Sequence, residues 1–187
     1  MDDMKDWLTT FGMIVAKPFP ETFIAEAEKA EGKFKGAVAW IALVAVILEV
    51  NYLITMGYFS LSRILKAVMF VPIVFIFSVF CIHMFYQKFF GRKKDYHEEL
   101  LYLTVGTFVP FALATIFVGY IPVIGVTLSW IAIAYAVILT VISVKSITKL
   151  KVWQSAIVVF SGLVVAVIGY FVIPILIFGV MSSTRRF

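Results

Sequence analysis

Charged residues are scarce in this sequence, and long stretches contain none. Asp, Glu, Lys and Arg make up 14% of the 187 residues, whereas ordinary globular domains carry about 25%. A soluble helix needs a wet face and interrupts its apolar residues with charge every turn or two. Hydrophobic residues amount to 63% here. The composition therefore excludes an ordinary soluble domain and leaves no room for a soluble catalytic module.

Residue types that carry chemistry are equally scarce. The single cysteine, Cys81, lies in an apolar stretch, so no intrachain disulfide can form. The two histidines, His83 and His97, are expected in different surroundings, and the sequence after His97 lacks the H-E-x-x-H spacing of zinc enzymes. Neither a G-x-S-x-G nucleophile elbow nor a Gly-rich phosphate loop occurs. The sequence predicts no enzyme, no metal site and no cofactor.

Five long apolar stretches dominate what the chain does contain. Each is about 20 residues long, enough to cross a ~30 Å hydrocarbon layer as a helix that rises ~1.5 Å per residue. We predict an all-α integral membrane bundle of five transmembrane helices, preceded by amphipathic interfacial helices. The predicted regions are a cytoplasmic N-terminal segment over 1–35 and a transmembrane domain over 36–187, with spans at about 36–57, 67–88, 100–120, 123–144 and 152–181.

The N-terminal segment contains helical periodicity. Apolar residues recur at the spacing of one helix face over about three turns. These residues are Met4, Trp7, Leu8, Phe11, Ile14 and Val15. Thr10 lies opposite them, Pro18 and Pro20 end the helix, and a second helix is predicted from Glu21 to a stop at Gly32. Two interpretations stay open: both helices lie in the headgroup region with their apolar faces toward lipid, or they dock a cytosolic partner.

Lysine and arginine alternate between rich and poor segments along the chain. The segments before span one, between spans two and three, and between spans four and five hold 5, 4 and 3, whereas the others hold 2, 0 and 2. The excess of positive charge predicts a cytoplasmic N-terminus and a C-terminus outside. Because these residues flank spans instead of forming one patch, we expect the bilayer, and no nucleic acid, as partner. The basic cytoplasmic surface comprises Lys88, Arg92, Lys93, Lys94, Lys145, Lys149 and Lys151.

Three polar residues are predicted at membrane depth, where an unsatisfied polar group is costly. Glu49 and Asn51 lie in the first span, and His83 lies toward the end of the second, where we expect it to be half-solvated. Glu49 is expected to meet a hydroxyl such as that of Tyr52 or Thr115. It is either a proton, cation or substrate-cavity site or a carboxyl that holds helices together. The lack of a second acidic residue in any span favours the structural role.

Prolines and glycines organise the third and fourth spans. Pro110 is predicted to kink the third span, with Thr107 or a neighbouring helix compensating for the lost backbone hydrogen bond. Pro122 and Gly125 are predicted to permit an uncharged tight turn. Spans three and four then form a hairpin.

A family resemblance rests on the order of these features. The features are the basic joint with Gly91 and Tyr96, the mid-span Pro110, the turn over 120–125, Trp130, the joint over 144–146, and the segment 18–23 ahead of the first span. In this order the chain resembles the Yip domain family, the Ypt/Rab-GTPase-interacting multi-spanning membrane proteins. The resemblance implies five spans, a cytoplasmic N-terminus and, for eukaryotic members, association with Rab GTPases and membrane shaping. It implies no catalytic residues.

The length of the N-terminal region bears on the Rab association that the resemblance implies. Eukaryotic members of the family carry longer cytosolic regions than the ~35 residues here. Its shortness argues against small-GTPase binding and favours a prokaryotic relative in the plasma (inner) membrane. We expect a non-enzymatic protein that organises membranes or complexes, with lipid, other membrane proteins or its own copies as partners. The alternative is a small permease, scramblase or transporter subunit whose polar path includes Glu49.

The charge distribution makes the topology testable. Cysteines that replace Lys93 or Lys149 should react with reagents confined to the cytoplasm, because both residues lie in lysine-rich joints. Labelling of both positions only from the outer side would reverse the orientation.

Overall fold

Most of the chain is helical in the computed structural model, which describes residues 2–57, 60–91, 95–121 and 124–183. The predicted surface residues Arg92, Lys93 and Lys94 and the turn residue Pro122 lie outside these ranges. The described residues form seven helices: α1 (Asp2–Ala16), α2 (Pro20–Ala27), α3 (Phe34–Met56), α4 (Leu61–Phe90), α5 (His97–Gly119), α6 (Gly125–Thr148) and α7 (Val152–Ser183).

The predicted bundle of five membrane-spanning helices is confirmed, since α3 to α7 are all long and apolar enough to cross a bilayer. The second span differs most from its predicted bounds, because α4 begins at Leu61 and not near residue 67. Gly57 ends α3 in the left-handed conformation with φ 71°, and α4 begins four residues later. Arg63 and Lys66 consequently lie in the first turns of α4 and not in a joint.

Helix α5 lies at the centre of the bundle. In an apolar stretch of 18 residues within α5, 56% is buried inside the bundle, against 22–28% in the corresponding stretches of the other four spans. It contacts α3, α4 and α6, while α7 packs on α4 and α6. Gly125 lets α6 start directly beside the end of α5, because a Cβ there would lie 2.5 Å from the Val118 carbonyl oxygen. Spans three and four thus form a close hairpin.

Helix α5 continues through Pro110, and so does α4 through Pro72. We expected Thr107 or a neighbouring helix to compensate for the hydrogen bond that Pro110 lacks. The Thr107 hydroxyl instead donates to the Thr104 carbonyl at 3.0 Å or shares a hydrogen bond with the Thr140 hydroxyl of α6 at 2.8 Å. Thr107 therefore links two spans.

The two short helices pack against one end of the bundle, which we call the capped end; the opposite end is the far end. Helix α1 lies on α5, and α2 lies on α5 and α6. Trp7, Phe11 and Ile14 are buried, with the Trp7 ring 4.5 Å from that of Tyr102 between centroids. The innermost part of the α1 apolar face thus contacts protein and not lipid.

Two details of the N-terminal prediction were wrong. Thr10, expected on the polar face of α1, is fully buried, because its hydroxyl donates a hydrogen bond to the buried Glu26 carboxylate. The second helix ends at Ala27 and not at Gly32. Turns follow Ala27, and Gly32 adopts φ 70° just before α3 begins.

A buried polar cluster joins α1 and α2 to the bundle. Glu26 is 3% exposed, and its Oε2 accepts a hydrogen bond from the Thr10 hydroxyl at 2.7 Å. The Thr10 and Tyr102 hydroxyls lie 2.7 Å apart, and Lys29 Nζ lies 2.6 Å from Glu26 Oε1. A buried carboxylate is strongly unfavourable unless it is paired and hydrogen-bonded. Both carboxylate oxygens have partners here, so the cluster can be buried. We call these four residues the cap cluster.

Thr10→Val should loosen the cap. The valine leaves Glu26 and Tyr102 without a shared partner, at a cost of roughly 1–3 kcal/mol. Amide hydrogen exchange at Phe11 and Ile14 should accelerate by about tenfold, while exchange in α5 and α6 stays slow. Thr9→Val is the matched control, because the exposed Thr9 hydroxyl bonds only the Lys5 carbonyl of its own helix. Equal exchange in both variants would contradict a stabilising role for the cap cluster.

Candidate functional site

A groove of about 690 Å³ opens between α3 and α4, with α5 and α7 completing its wall. Most of its lining is aliphatic or aromatic, and its charged residues are Glu49, Arg63 and Lys66. Glu49 and Arg63 approach it from the parts of α3 and α4 that lie toward the far end. The groove is therefore an apolar recess with charge at one end.

Glu49 pairs with Arg63. Arg63 Nε lies 2.6 Å from Glu49 Oε1, and the two side chains are 41% and 17% exposed. The contact is an ion pair more than a directed hydrogen bond, since Oε1 accepts no well-angled hydrogen bond within the described part of the chain. The Arg63 guanidinium also lies 4.5 Å from the centre of the Tyr52 ring. Tyr52 thus contacts the partner of Glu49.

The expected hydroxyl partners of Glu49 were therefore wrong. The Thr115 hydroxyl donates to the Ala112 carbonyl of its own helix at 2.7 Å. Arg63 was overlooked because it was assigned to a joint, whereas the early start of α4 places its long side chain beside Glu49. The pairing of Glu49 with an opposite charge follows the general rule for charged residues within spans.

Asn51 forms a separate link between two spans. The Tyr120 hydroxyl at the end of α5 donates to Asn51 Oδ1 on α3. The Asn51 carbonyl accepts a hydrogen bond from the Thr55 hydroxyl at 2.9 Å. Asn51 does not line the groove, so the three polar residues predicted at membrane depth do not form one site.

His83 lies at the capped end and is buried, with 6% of its surface exposed. The expectation of a half-solvated side chain was wrong, because α5 starts beside the end of α4 and covers it. Its Nε2 lies 3.2 Å from Asp95 Oδ1, and its ring centre lies 6.1 Å from that of His97. The two histidines therefore share one environment, contrary to prediction.

An acidic cleft of about 550 Å³ lies next to these histidines. Its lining includes five carboxylates, from Glu28, Glu31, Asp95, Glu98 and Glu99, together with His97. Within the described ranges no group of three or more His, Cys, Asp or Glu side chains is arranged to hold a metal ion. Sequence patterns do not predict this cleft, because its acids come from the α2–α3 connection and from the residues around the start of α5.

Four residues of the predicted basic surface lie within the described ranges. Lys88, Lys145, Lys149 and Lys151 are all exposed, at the end of α4 and around the joint between α6 and α7. Lys149 ends α6 in the left-handed conformation with φ 56°. These lysines therefore lie at the capped end, the same end as α1 and α2.

These features define a multi-pass integral membrane protein whose N-terminal helices are packed onto its spans. The chain matches the sequence profile of the Yip1 domain over residues 14–181. It belongs to the Yip1 domain family, as the resemblance implied. The match starts inside α1 and includes all five spans. Comparison with curated proteins gives no match, and neither does comparison with solved structures.

The Glu49–Arg63 pair can be tested by a double-mutant cycle. Either Glu49→Gln or Arg63→Gln should lower the melting temperature in detergent, because each removes one charge of this ion pair. The double variant should lose less than the two losses combined, with a coupling of about 1 kcal/mol for a partly exposed pair. The exposed Glu21→Gln serves as the control and should change stability by less than about 0.5 kcal/mol. Additive losses would show that the pair contributes nothing.

Proposed function

We propose that this chain is a non-enzymatic membrane protein that organises membranes or membrane-protein complexes through its capped end. The observation that carries this proposal is the packing of α1 and α2 onto the bundle through the cap cluster. A free tether would present no defined shape, whereas a packed cap presents a fixed surface. The cap therefore has the properties of a recognition surface.

An apolar strip on α1 supports this proposal. Met4, Leu8 and Val15 are 55%, 54% and 39% exposed. At 3.6 residues per turn they lie within about 40° of one another around the helix axis. They continue the apolar face that α1 buries against the bundle, and the exposed Lys5 and Lys17 lie on the same helix or just after it. Contiguous exposed apolar residues beside lysines are typical of surfaces that contact headgroups or partner proteins.

The charge distribution supports a cytoplasmic position for this surface. The exposed lysines of the capped end belong to the lysine-rich segments, which face the cytoplasm under the positive-inside rule. For a prokaryote we expect the plasma (inner) membrane, with the cap inside the cell. Anionic lipid attracts such lysines by about 1 kcal/mol each. Lipid and other membrane proteins, or further copies of this chain, are the partners that the surface suits best.

Transport is the second candidate, because Glu49 lines a cavity. The charged residues of the groove are confined to one end, whereas a permeation path needs polar groups along its length. The Glu49 carboxylate is also engaged by Arg63. The geometry favours an organising role over a proton or ion path. Loss of a measured flux in Glu49→Gln, with unchanged stability, would reverse this preference.

A charge placed on the apolar strip tests the organising role. Leu8→Asp should lower co-purification of partner chains in mild detergent, or reduce deformation of liposomes by the purified protein. The reason is that a carboxylate in the strip opposes both apolar and lipid contacts. Thr9→Asp adds the same charge one residue away, outside the strip, and should change neither readout.

Both substituted side chains are exposed, so the variants should keep the helix content and melting temperature of the parent. Equal behaviour of the two variants in both assays would contradict the proposed use of the strip.

A further inference from the structure

The groove between α3 and α4 extends into the bundle. Ile41, Val44, Val74 and Val109 line it, and each is 7% exposed or less. A lipid of the ordinary annular layer contacts the exposed ridges of helices, not residues buried to this degree. The volume of about 690 Å³ lies within the ~300–1,000 Å³ typical of ligand pockets. The groove therefore has the size and depth of a binding site.

The length of the groove matches one lipid leaflet. Its α4 wall runs from Arg63 to Phe75, which is about 18 Å at ~1.5 Å per residue. Half of a ~30 Å hydrocarbon layer is about 15 Å. Helix α4 begins at Leu61, so Arg63 and the charged end of the groove lie near the end of the span, and the apolar part extends inward. An acyl chain that enters from this end would fill the apolar part.

The charged end of the groove, which we call its mouth, favours one class of lipid head group. Two cations, Arg63 and Lys66, and one carboxylate, Glu49, give the mouth a net positive charge. A planar guanidinium beside an ammonium suits phosphate oxygens. A zwitterionic head group would bring its own cation to this positive mouth and gain less. The size, depth and charge of the groove thus favour an anionic amphiphile with an acyl chain.

We propose that this groove binds one acyl chain of an anionic glycerophospholipid, whose phosphate lies against Arg63 and Lys66. The bound lipid is part of the far end of the bundle and is distinct from the annular layer. The site is independent of the organising role proposed for the cap, since no residue of α1 or α2 lines the groove.

Lipid selectivity tests the head-group part of the proposal. Native mass spectrometry of the delipidated full chain in detergent should show one tightly held phosphatidylglycerol and weaker retention of phosphatidylcholine. Lys66→Gln should weaken phosphatidylglycerol retention about fivefold, the effect of one lysine near an anionic head group. Lys88→Gln removes the same charge at the capped end and should leave retention unchanged. Equal retention of the two lipids, or equal behaviour of the two variants, would overturn the proposal.

Blocking the groove tests the acyl-chain part. Ala67 lines the groove, and Ala67→Phe should abolish retention of the single lipid. Ala134→Phe adds the same ring to an exposed position of α6, a helix that contributes nothing to the groove, and should retain the lipid. Retention by Ala67→Phe would overturn the proposal.

A measurement on the unmodified chain covers the case in which Ala67→Phe fails to fold. Phosphatidylglycerol with a photoreactive diazirine in the middle of an acyl chain should label the stretches 41–52 of α3 and 66–75 of α4. Labelling of α6 should be several-fold weaker, because α6 meets only annular lipid. Uniform labelling of α3, α4 and α6 would show annular contact alone and overturn the proposal.

Discussion

The burial of one carboxylate, that of Glu26, fixes the position of the whole N-terminal segment. A carboxylate that is 3% exposed is tolerated only where hydrogen bonds and an opposite charge replace its lost water. Thr10 of α1 donates a hydrogen bond to this carboxylate, and Lys29 supplies the opposite charge. The Tyr102 hydroxyl of α5 lies within hydrogen-bond distance of Thr10. If α1 moved away, the buried carboxylate would lose the Thr10 hydrogen bond, which no apolar contact can replace. The cap is therefore specified by polar chemistry as well as by the burial of Trp7 and Phe23.

Within the spans, most buried hydroxyl groups form hydrogen bonds inside their own helix. Most buried hydroxyls donate to a carbonyl three or four residues earlier in their own helix, as Ser78, Thr104 and Thr140 do. Such bonds satisfy the hydroxyl in a medium without water but hold no helices together. Apart from the links made by Thr107, Asn51 and the Glu49–Arg63 pair, close packing holds the spans together. Gly162 of α7 provides it by leaving room for Ile82 of α4. Association through small residues is the usual solution where lipid removes the hydrophobic drive between helices.

The sequence was sufficient for the number of spans and for the first amphipathic helix, because hydropathy and periodicity are local properties. It was insufficient for side-chain partners. A span assignment gives Glu49 an approximate depth, but a long arginine such as Arg63 reaches its partner from a segment classed as a joint. Glu26 lies in a short, charged stretch that is normally solvated, and only the packing of α2 on α5 reveals its burial. His83 and His97 are brought together because the start of α5 lies beside the end of α4, an arrangement that periodicity does not encode.

The cap and the groove lie at different depths, yet one helix joins them. Trp40 of α3 packs edge-on against Phe11 of α1 at 5.1 Å between ring centres, and the next residue, Ile41, lines the groove. Packed interiors transmit displacement because they contain little free volume. The Trp40 contact with the cap and the groove wall at Ile41 are therefore adjacent parts of one packed interior. The central position of α5 adds a second connection, since Tyr102 belongs to the cap cluster and Val109, two turns later, belongs to the groove wall.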